Sequence, residues 1–226
     1  MLRKAAIINL MTRERRTFVL RDLDAGKRYR MMTWLVVPRP IAFVSTTSPE
    51  GHDNLAPFSY FMLGGDSPSS LAFCPTSNRD GDPKDTLKNI ELCKEFVVNL
   101  VTSEMAKGMI ETSFAYPQGY EEWVVSGFTK EPSTHVTPPR VAESPVQFEC
   151  RLHEVVRHGT GSGASAYVIG EVLVVHVAAR LVDEDGGIQD RFRPIARLGG
   201  REYLDTECGK VFELVRPKGP AESSVD

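Results

Sequence analysis

Two long stretches of strand-forming residues, 146–156 and 166–177, are joined by only nine residues, Arg157-His-Gly-Thr-Gly-Ser-Gly-Ala-Ser165. So short a connection returns the second strand antiparallel to the first, because a parallel neighbour needs a crossover of a dozen residues or more. Within the connection, Gly159-Thr-Gly-Ser-Gly-Ala164 formally fits a relaxed dinucleotide fingerprint. That fingerprint must open a helix, and the residues that follow, Tyr167-Val-Ile-Gly-Glu-Val-Leu-Val-Val175, are strand formers, so it is rejected in favour of a mobile hairpin loop. Neither Ser162 nor Ser165 sits in a G-x-S-x-G elbow, which argues against a serine hydrolase.

The other elements agree with an antiparallel chain. In Val36-Val-Pro-Arg-Pro-Ile-Ala-Phe-Val-Ser45 the prolines place the start of a strand near Ile41, since proline is confined to strand starts and edges. Ser48-Pro-Glu-Gly-His-Asp53 reads as a turn and residues 54–61 as the returning strand, completing a hairpin. Residues 69–74 form another short strand, and Phe96-Val-Val-Asn-Leu-Val101 is a continuous apolar run suited to a sheet or barrel interior. Ser103 caps a helix with Glu104 in its first turn and Met105, Met109 and Ile110 on one face. Residues 116–140 are loop-rich, suited to a lid, with a short helix at about 121–125. Residues 183–187 make a turn, Gly199 and Gly200 permit a close backbone approach, and residues 207–215 supply a closing strand. Six or seven strands and two or three helices without regular βα alternation predict an α+β fold, mainly antiparallel β, built as a barrel.

With no linker of Ser, Gly or Pro to divide it, the 226-residue chain is read as an arm (1–27), one domain (28–217) and a short tail (218–226). The basic residues 1–16 carry an apolar run broken by Asn9 and lack a small-residue cleavage site, so they read as an arm rather than a signal peptide. A net charge of −3 with mixed signs argues against nucleic acid as a partner. No apolar run approaches the ~20 residues of a spanning helix, so no membrane partner is expected. The four cysteines are far apart with no C-x-x-C pair, as expected of reduced thiols in a cytoplasmic protein without a metal site.

The best candidate for holding a ligand is Ser77-Asn-Arg-Asp-Gly-Asp-Pro-Lys-Asp-Thr-Leu-Lys-Asn-Ile90. A polar loop runs through Pro83 into a short helix, whose free N–H groups and dipole favour an anion. Arg79 and Lys84 add full positive charge, Thr86 a hydroxyl, and Asp85 a helix cap.

Three segments read together sharpen this seat: Pro38-Arg-Pro-Ile-Ala-Phe-Val-Ser-Thr-Thr47, Gly51-His-Asp-Asn-Leu-Ala-Pro-Phe-Ser-Tyr60, and Lys84-Asp-Thr-Leu-Lys-Asn-Ile90 followed by Phe96-Val-Val-Asn99. In order and wording they resemble the flavin reductase-like FMN-binding split barrels, which include flavoredoxins and the reductase components of two-component flavin monooxygenases. Arg197-Leu-Gly-Gly-Arg-Glu-Tyr203 resembles the C-terminal segment of that family. One departure is Asp66-Ser-Pro-Ser-Ser70, where many relatives carry a Pro-Pro pair. The resemblance implies a six- to seven-stranded split barrel that binds FMN in preference to FAD. It implies hydride transfer from NADH or NADPH, a homodimer with the flavin near the subunit interface, and a monooxygenase as partner. Ser45, Thr46, Thr47, Asn54 and Ser59 offer polar groups to the ring edge, Ala56 and Pro57 a flat surface, and Phe58 or Tyr60 a cover. Arg79, Lys84, Asp85 and Thr86 form the phosphate seat, and Arg197 and Tyr203 reach a flavin bound mainly by the other subunit. Because the flavin carries the chemistry, no catalytic residue is expected. His153 and His176 lie in strand-like runs, where a structural role is favoured over a ligand-facing one. The competing readings are a flavin enzyme acting on one specific small molecule and an electron carrier without nicotinamide turnover.

Overall fold

The computed structural model describes residues 15–117, 120 and 122–219; residues 1–14 of the expected arm, 220–226 of the tail and Glu121 of the expected short helix lie outside the described residues. The first helix, α1 (Ala25–Leu35), is started by Asp24, whose carboxylate accepts from the Lys27 N–H at 2.8 Å. It crosses the expected arm–domain boundary, and it escaped the sequence reading because Thr33 is its sole buried residue, so no apolar stripe marks it. Trp34 packs directly on Gly199, where an added Cβ would lie 2.2 Å from the indole. This is the close approach the paired glycines were expected to allow.

The hairpin expected near residues 41–61 is β1 (Ala42–Thr47) and β2 (Asp53–Phe58), in register from Ala42 opposite Phe58 to Thr47 opposite Asp53. The returning strand ends at Phe58, and an unanticipated strand, β3 (Phe61–Asp66), pairs with β4 (Ser69–Phe73). Then come α2 (Asp85–Cys93), β5 (Glu95–Asn99), α3 (Ala106–Glu111), α4 (Glu122–Ser126), β6 (Lys130–Glu131) and β7 (Arg140–Val141). The long hairpin is β8 (Val146–His158) and β9 (Ser165–Val177), and β10 (Ile195–Arg197), β11 (Glu202–Asp205) and β12 (Val211–Glu213) make a small C-terminal sheet. The main sheet has seven strands in the order β2-β1-β5-β8-β9-β4-β3, each pair antiparallel. Among the described residues there are four α-helices, exceeding the expected two or three by α1.

Seven twisted strands curl until β2, at one edge, meets β4 near the other: Phe58 and Phe73 have ring centroids 5.2 Å apart, although no ladder joins their strands. The barrel is therefore split. Its interior is filled by Ala42, Val44, Phe58, Leu71, Phe73, Phe96, Val98 and Val168, with Leu87 and Ile90 of α2 packed into it. A second core lies on the other face of β1, where Ile41, Phe43 and Leu55 meet Met105, Met109 and Ile110 of α3 and Trp123 of α4. The face predicted for α3 is the buried one, but the helix begins later than expected, with Met105 as its N-cap and Ser103 in the preceding turn. No helix among the described residues is long and apolar enough to cross a membrane.

The 132–141 segment is fastened to β8 by Glu149, which sits fully buried at a register shift in the ladder. Its carboxylate accepts from the Thr134 N–H (2.7 Å), the Thr134 hydroxyl (3.0 Å) and the His135 N–H (2.6 Å), and His176 Nε2 lies 2.6 Å away. His176 is thus structural, as favoured above. Burial works against the charged carboxylate, but these hydrogen bonds outweigh it and hold the pKa at about 2. Since the folded value is depressed from 4.5, the stabilisation is present above about pH 4.5 and is lost as pH falls toward 2. Thermal denaturation between pH 6 and pH 3 should show Glu149→Gln losing less stability than the parent across this window, by on the order of 2–3 kcal/mol.

Candidate functional site

The hairpin β1–β2 carries most of the expected site residues, and strand alternation divides them between its two faces. Thr46, Asn54, Ala56 and Phe58 face α2 and the barrel interior, whereas Ser45, Thr47 and Pro57 face the α3 side. A planar ligand therefore cannot rest on the side chains of Ala56 and Pro57 together. The Phe58 ring is buried against Phe73, so of the two expected covers only Tyr60 is exposed.

Around the hairpin, the polar side chains are largely engaged with one another. Ser45 Oγ donates to the Pro139 carbonyl (2.5 Å) and Thr47 Oγ1 to Asp53 (2.7 Å), while Thr46 Oγ1 accepts from Asn89 Nδ2 (3.1 Å). Thr86 is buried, and its hydroxyl oxygen accepts from Asn54 Nδ2 at 2.9 Å. Thr86 and Asn89, three apart on α2, thereby pin the helix to β1 and β2. Asn89 was not singled out in the sequence, though its helical spacing from Thr86 was a signal for it.

The helix start differs in detail from the anion seat read in the sequence. Lys84 is the N-cap and makes no side-chain capping bond, and Pro83 precedes the helix rather than opening it. Asp85 does not cap; as the first helical residue it pairs with Lys88 at 2.8 Å, one turn on. Loop 77–82 is folded on Asn78, whose Oδ1 accepts from the Asp80 and Asp82 N–H groups, and it docks on the β8–β9 loop through Ser77 and Ala164. Gly81, at φ +91°, lies so close to Gly161 that a Cβ there would be 3.2 Å from its Cα. Arg79 sits exposed on this loop and, among the described residues, has no ion-pair partner.

What the tertiary structure assembles is a cationic end to β2. Lys84 Nζ lies 5.6 Å from the centroid of Phe58, and desolvation together with the Arg216 cation lowers its pKa. On the other side of the strand, Pro57, Ser59, Arg197, Tyr203 and Arg216 line a small cavity of about 30 Å³ with Ile41 and Met109. Arg197 stacks on Tyr203, its guanidinium carbon 4.3 Å from the ring centroid, as two partners directly opposite in the β10–β11 ladder. One guanidinium nitrogen bonds the Gly200 carbonyl, and Arg197 Nη1 is buried with no hydrogen-bond partner among the described residues. A buried donor left unpaired is costly, so an acceptor oxygen or ring nitrogen from a ligand fits this place. Arg39 holds the assembly: it donates to the carbonyls of Thr33 and Val36 (both 2.6 Å) and Leu198 (2.9 Å), joining the end of α1 to the Arg197 strand. The sequence reading missed Arg39 and Arg216; the first was visible between two prolines, the second had no local signal. Asn54 and Asp85 instead line a separate, acidic cleft at the opposite end of β2.

A family model described as flavin reductase like domain matches residues 34–195. The chain belongs to the flavin reductase-like family. An uncharacterized protein of Aquifex aeolicus is 39% identical over 195 residues, spanning 84% of this chain and 97% of that protein. Among solved structures, nitrilotriacetate monooxygenase component B from Bacillus cereus superposes with a TM-score of 0.81 at 29% identity, covering 90% of this chain and 100% of that one. The Pseudomonas fluorescens 2-nitrobenzoate 2-nitroreductase NbaA gives 0.76 at 31% identity, covering 92% and 100%. Flavoredoxin of Desulfovibrio vulgaris, at 17% identity and a TM-score of 0.61, shares the fold. Family membership supports a flavin cofactor, and the cationic end of β2 has the donors for one.

Proposed function

We propose that this protein is a cytoplasmic NAD(P)H-dependent flavin reductase that holds FMN at the cationic end of β2. The observation that carries the reading is the pairing there of Lys84 and Arg216 with the unpartnered Arg197 Nη1. Lys84, and Arg79 from its exposed loop, serve the phosphate by charge-assisted bonds, and Arg197 on Tyr203 serves the ring's polar edge. The backbone of residues 57–59 and the exposed Tyr60 border the ring. Ser45, Thr46, Thr47, Asn54 and Thr86 act by fixing β1, β2 and α2 behind it. A flavin held there would supply the redox chemistry, with a reduced nicotinamide as its hydride donor.

A cavity of about 30 Å³ is far too small to enclose a flavin, so a ring held here would need an open groove that a second subunit would cover. Tyr29, Met32, Trp34 and Leu35 on α1, with Tyr60, Met62 and Leu63, leave large apolar side chains exposed for such a homodimer. A monomer at micromolar concentration in sedimentation equilibrium would remove the dimer from this reading. The likeness to nitrilotriacetate monooxygenase component B favours a monooxygenase as the consumer of reduced flavin. The likeness to the nitroreductase favours the second reading, in which bound flavin acts on one specific small molecule.

Purified protein with bound flavin should be yellow and bleach on anaerobic addition of NADH or NADPH; flavin that neither nucleotide reduces would turn the assignment to an electron carrier. Lys84→Ala combined with Arg79→Ala should weaken FMN binding by roughly 3–6 kcal/mol, at ~1.5–3 for each charge-assisted bond. Unchanged affinity in a flavin titration would exclude this loop from the site.

A further inference from the structure

The acidic end of β2 is a second concave site. A cavity of about 400 Å³ opens between the β1–β2 turn, α2 and the side chains of Tyr120 and Glu122, a volume within the ~300–1,000 Å³ of small-molecule sites. At ~3.3 Å per residue, the five steps from Asn54 to Ser59 put it roughly 16 Å from the cationic end. The two ends carry opposite charge, so they suit different ligands.

Four carboxylates border the cavity, those of Glu50, Asp53, Asp85 and Glu122, against the single lysine Lys88 and His52. Three of them are already served. Asp85 pairs with Lys88 at 2.8 Å, Asp53 with Lys130 at 2.9 Å, and Glu50, exposed at the rim, is held by the Ser48 hydroxyl. Glu122 is different: it is 9% exposed, its Oε2 is buried without a hydrogen-bond partner, and no cation pairs with it among the described residues. Its burial raises the pKa to about 7, against the backbone N–H groups of Glu122 and Leu55, and the Asp85 charge raises it further. A carboxylate in this position lacks a positively charged donor.

A metal ion is a poor fit, because no group of three or more His, Cys, Asp or Glu among the described residues is placed to hold one. Pro49 and Leu92 give the cavity apolar wall, and Tyr120 adds an aromatic one. We propose that this cleft binds a small organic cation, its ammonium or guanidinium head on Glu122 and its carbon chain against Pro49 and Leu92.

Calorimetric titration of the full chain with butylammonium, butylguanidinium and the neutral pentanamide tests the assignment. The cations should bind at least about tenfold more tightly than the amide, and Glu122→Gln should abolish that preference. Affinity for butylammonium should rise with pH through about 7, as Glu122 ionises in the cleft flanked by Asp53, Asp85, Lys88, Glu50 and His52. Leu92→Arg, a change at an exposed position, should also remove cation binding by placing a fixed charge at the mouth, while leaving flavin affinity unchanged. Flavin affinity in these proteins reads the Lys84 site separately, so either assignment can fail without the other. The proposal is overturned if no cation binds, if pentanamide binds as tightly as the cations, or if either folded variant keeps the parent's affinity for butylammonium.

Discussion

Strand β1 is buried on both faces along all six of its residues, and the arrangement of the molecule follows from that. A strand in this position cannot tolerate a charged side chain on either side, so it is apolar or carries small hydroxyls that find partners inside the protein. Ala42 and Val44 look into the barrel, Phe43 looks into the second core, and Ser45, Thr46 and Thr47 each spend their hydroxyl group on a neighbouring segment. The hydroxyls thereby tie the Pro139 loop, α2 and the edge strand β2 to one central element.

Beside this anchored strand, β2 is the edge on which function can be built. One of its flanks is already paired with β1; its other flank has no ladder partner among the described residues, and α4 packs against the strand. Pro57 is tolerated there because an edge position does not require its missing N–H. At the end of the strand near Ser59, the chain brings in Lys84 from the N-cap of α2, Arg197 from β10 and Arg216 from beyond β12. At the Asp53 end it brings in Asp85, Glu50 and Glu122. A single edge strand thus separates a basic groove from an acidic cleft.

The antiparallel long hairpin, the β1–β2 hairpin, the buried face of α3 and the helix after the polar loop could all be read from local patterns. Each rests on periodicity, proline placement or a connection too short for a crossover. What escaped the reading was α1, capped by Asp24 but with Thr33 alone buried, β3, whose Gly64 and Gly65 and exposed apolar residues show no clean alternation, and the short strands β6, β7, β10 and β11, whose two to four residues are too few to show a period. The caps were misplaced by one or more residues because capping depends on backbone angles: Lys84, with no suitable side chain, occupies the N-cap, and Asp85 falls one position inside. Of the site, the Lys84 and Arg197–Tyr203 pieces were visible as motifs. Arg216 was not, since its place beside Lys84 comes from the docking of a distant segment.

Strand periodicity is a property of neighbouring residues, so an antiparallel α+β fold was legible in the chain, and a short set of local motifs carried the resemblance to flavin reductase-like split barrels. Which of those motif residues share a face follows from how distant segments pack. Alternation along β2 sends Ala56 and Pro57 to opposite sides, and the fold brings Arg197 and Arg216 to one end while leaving Glu122 buried at the other. Those assignments depend on contacts between residues far apart in the chain, where burial and missing partners, rather than local pattern, set what a side chain can bind.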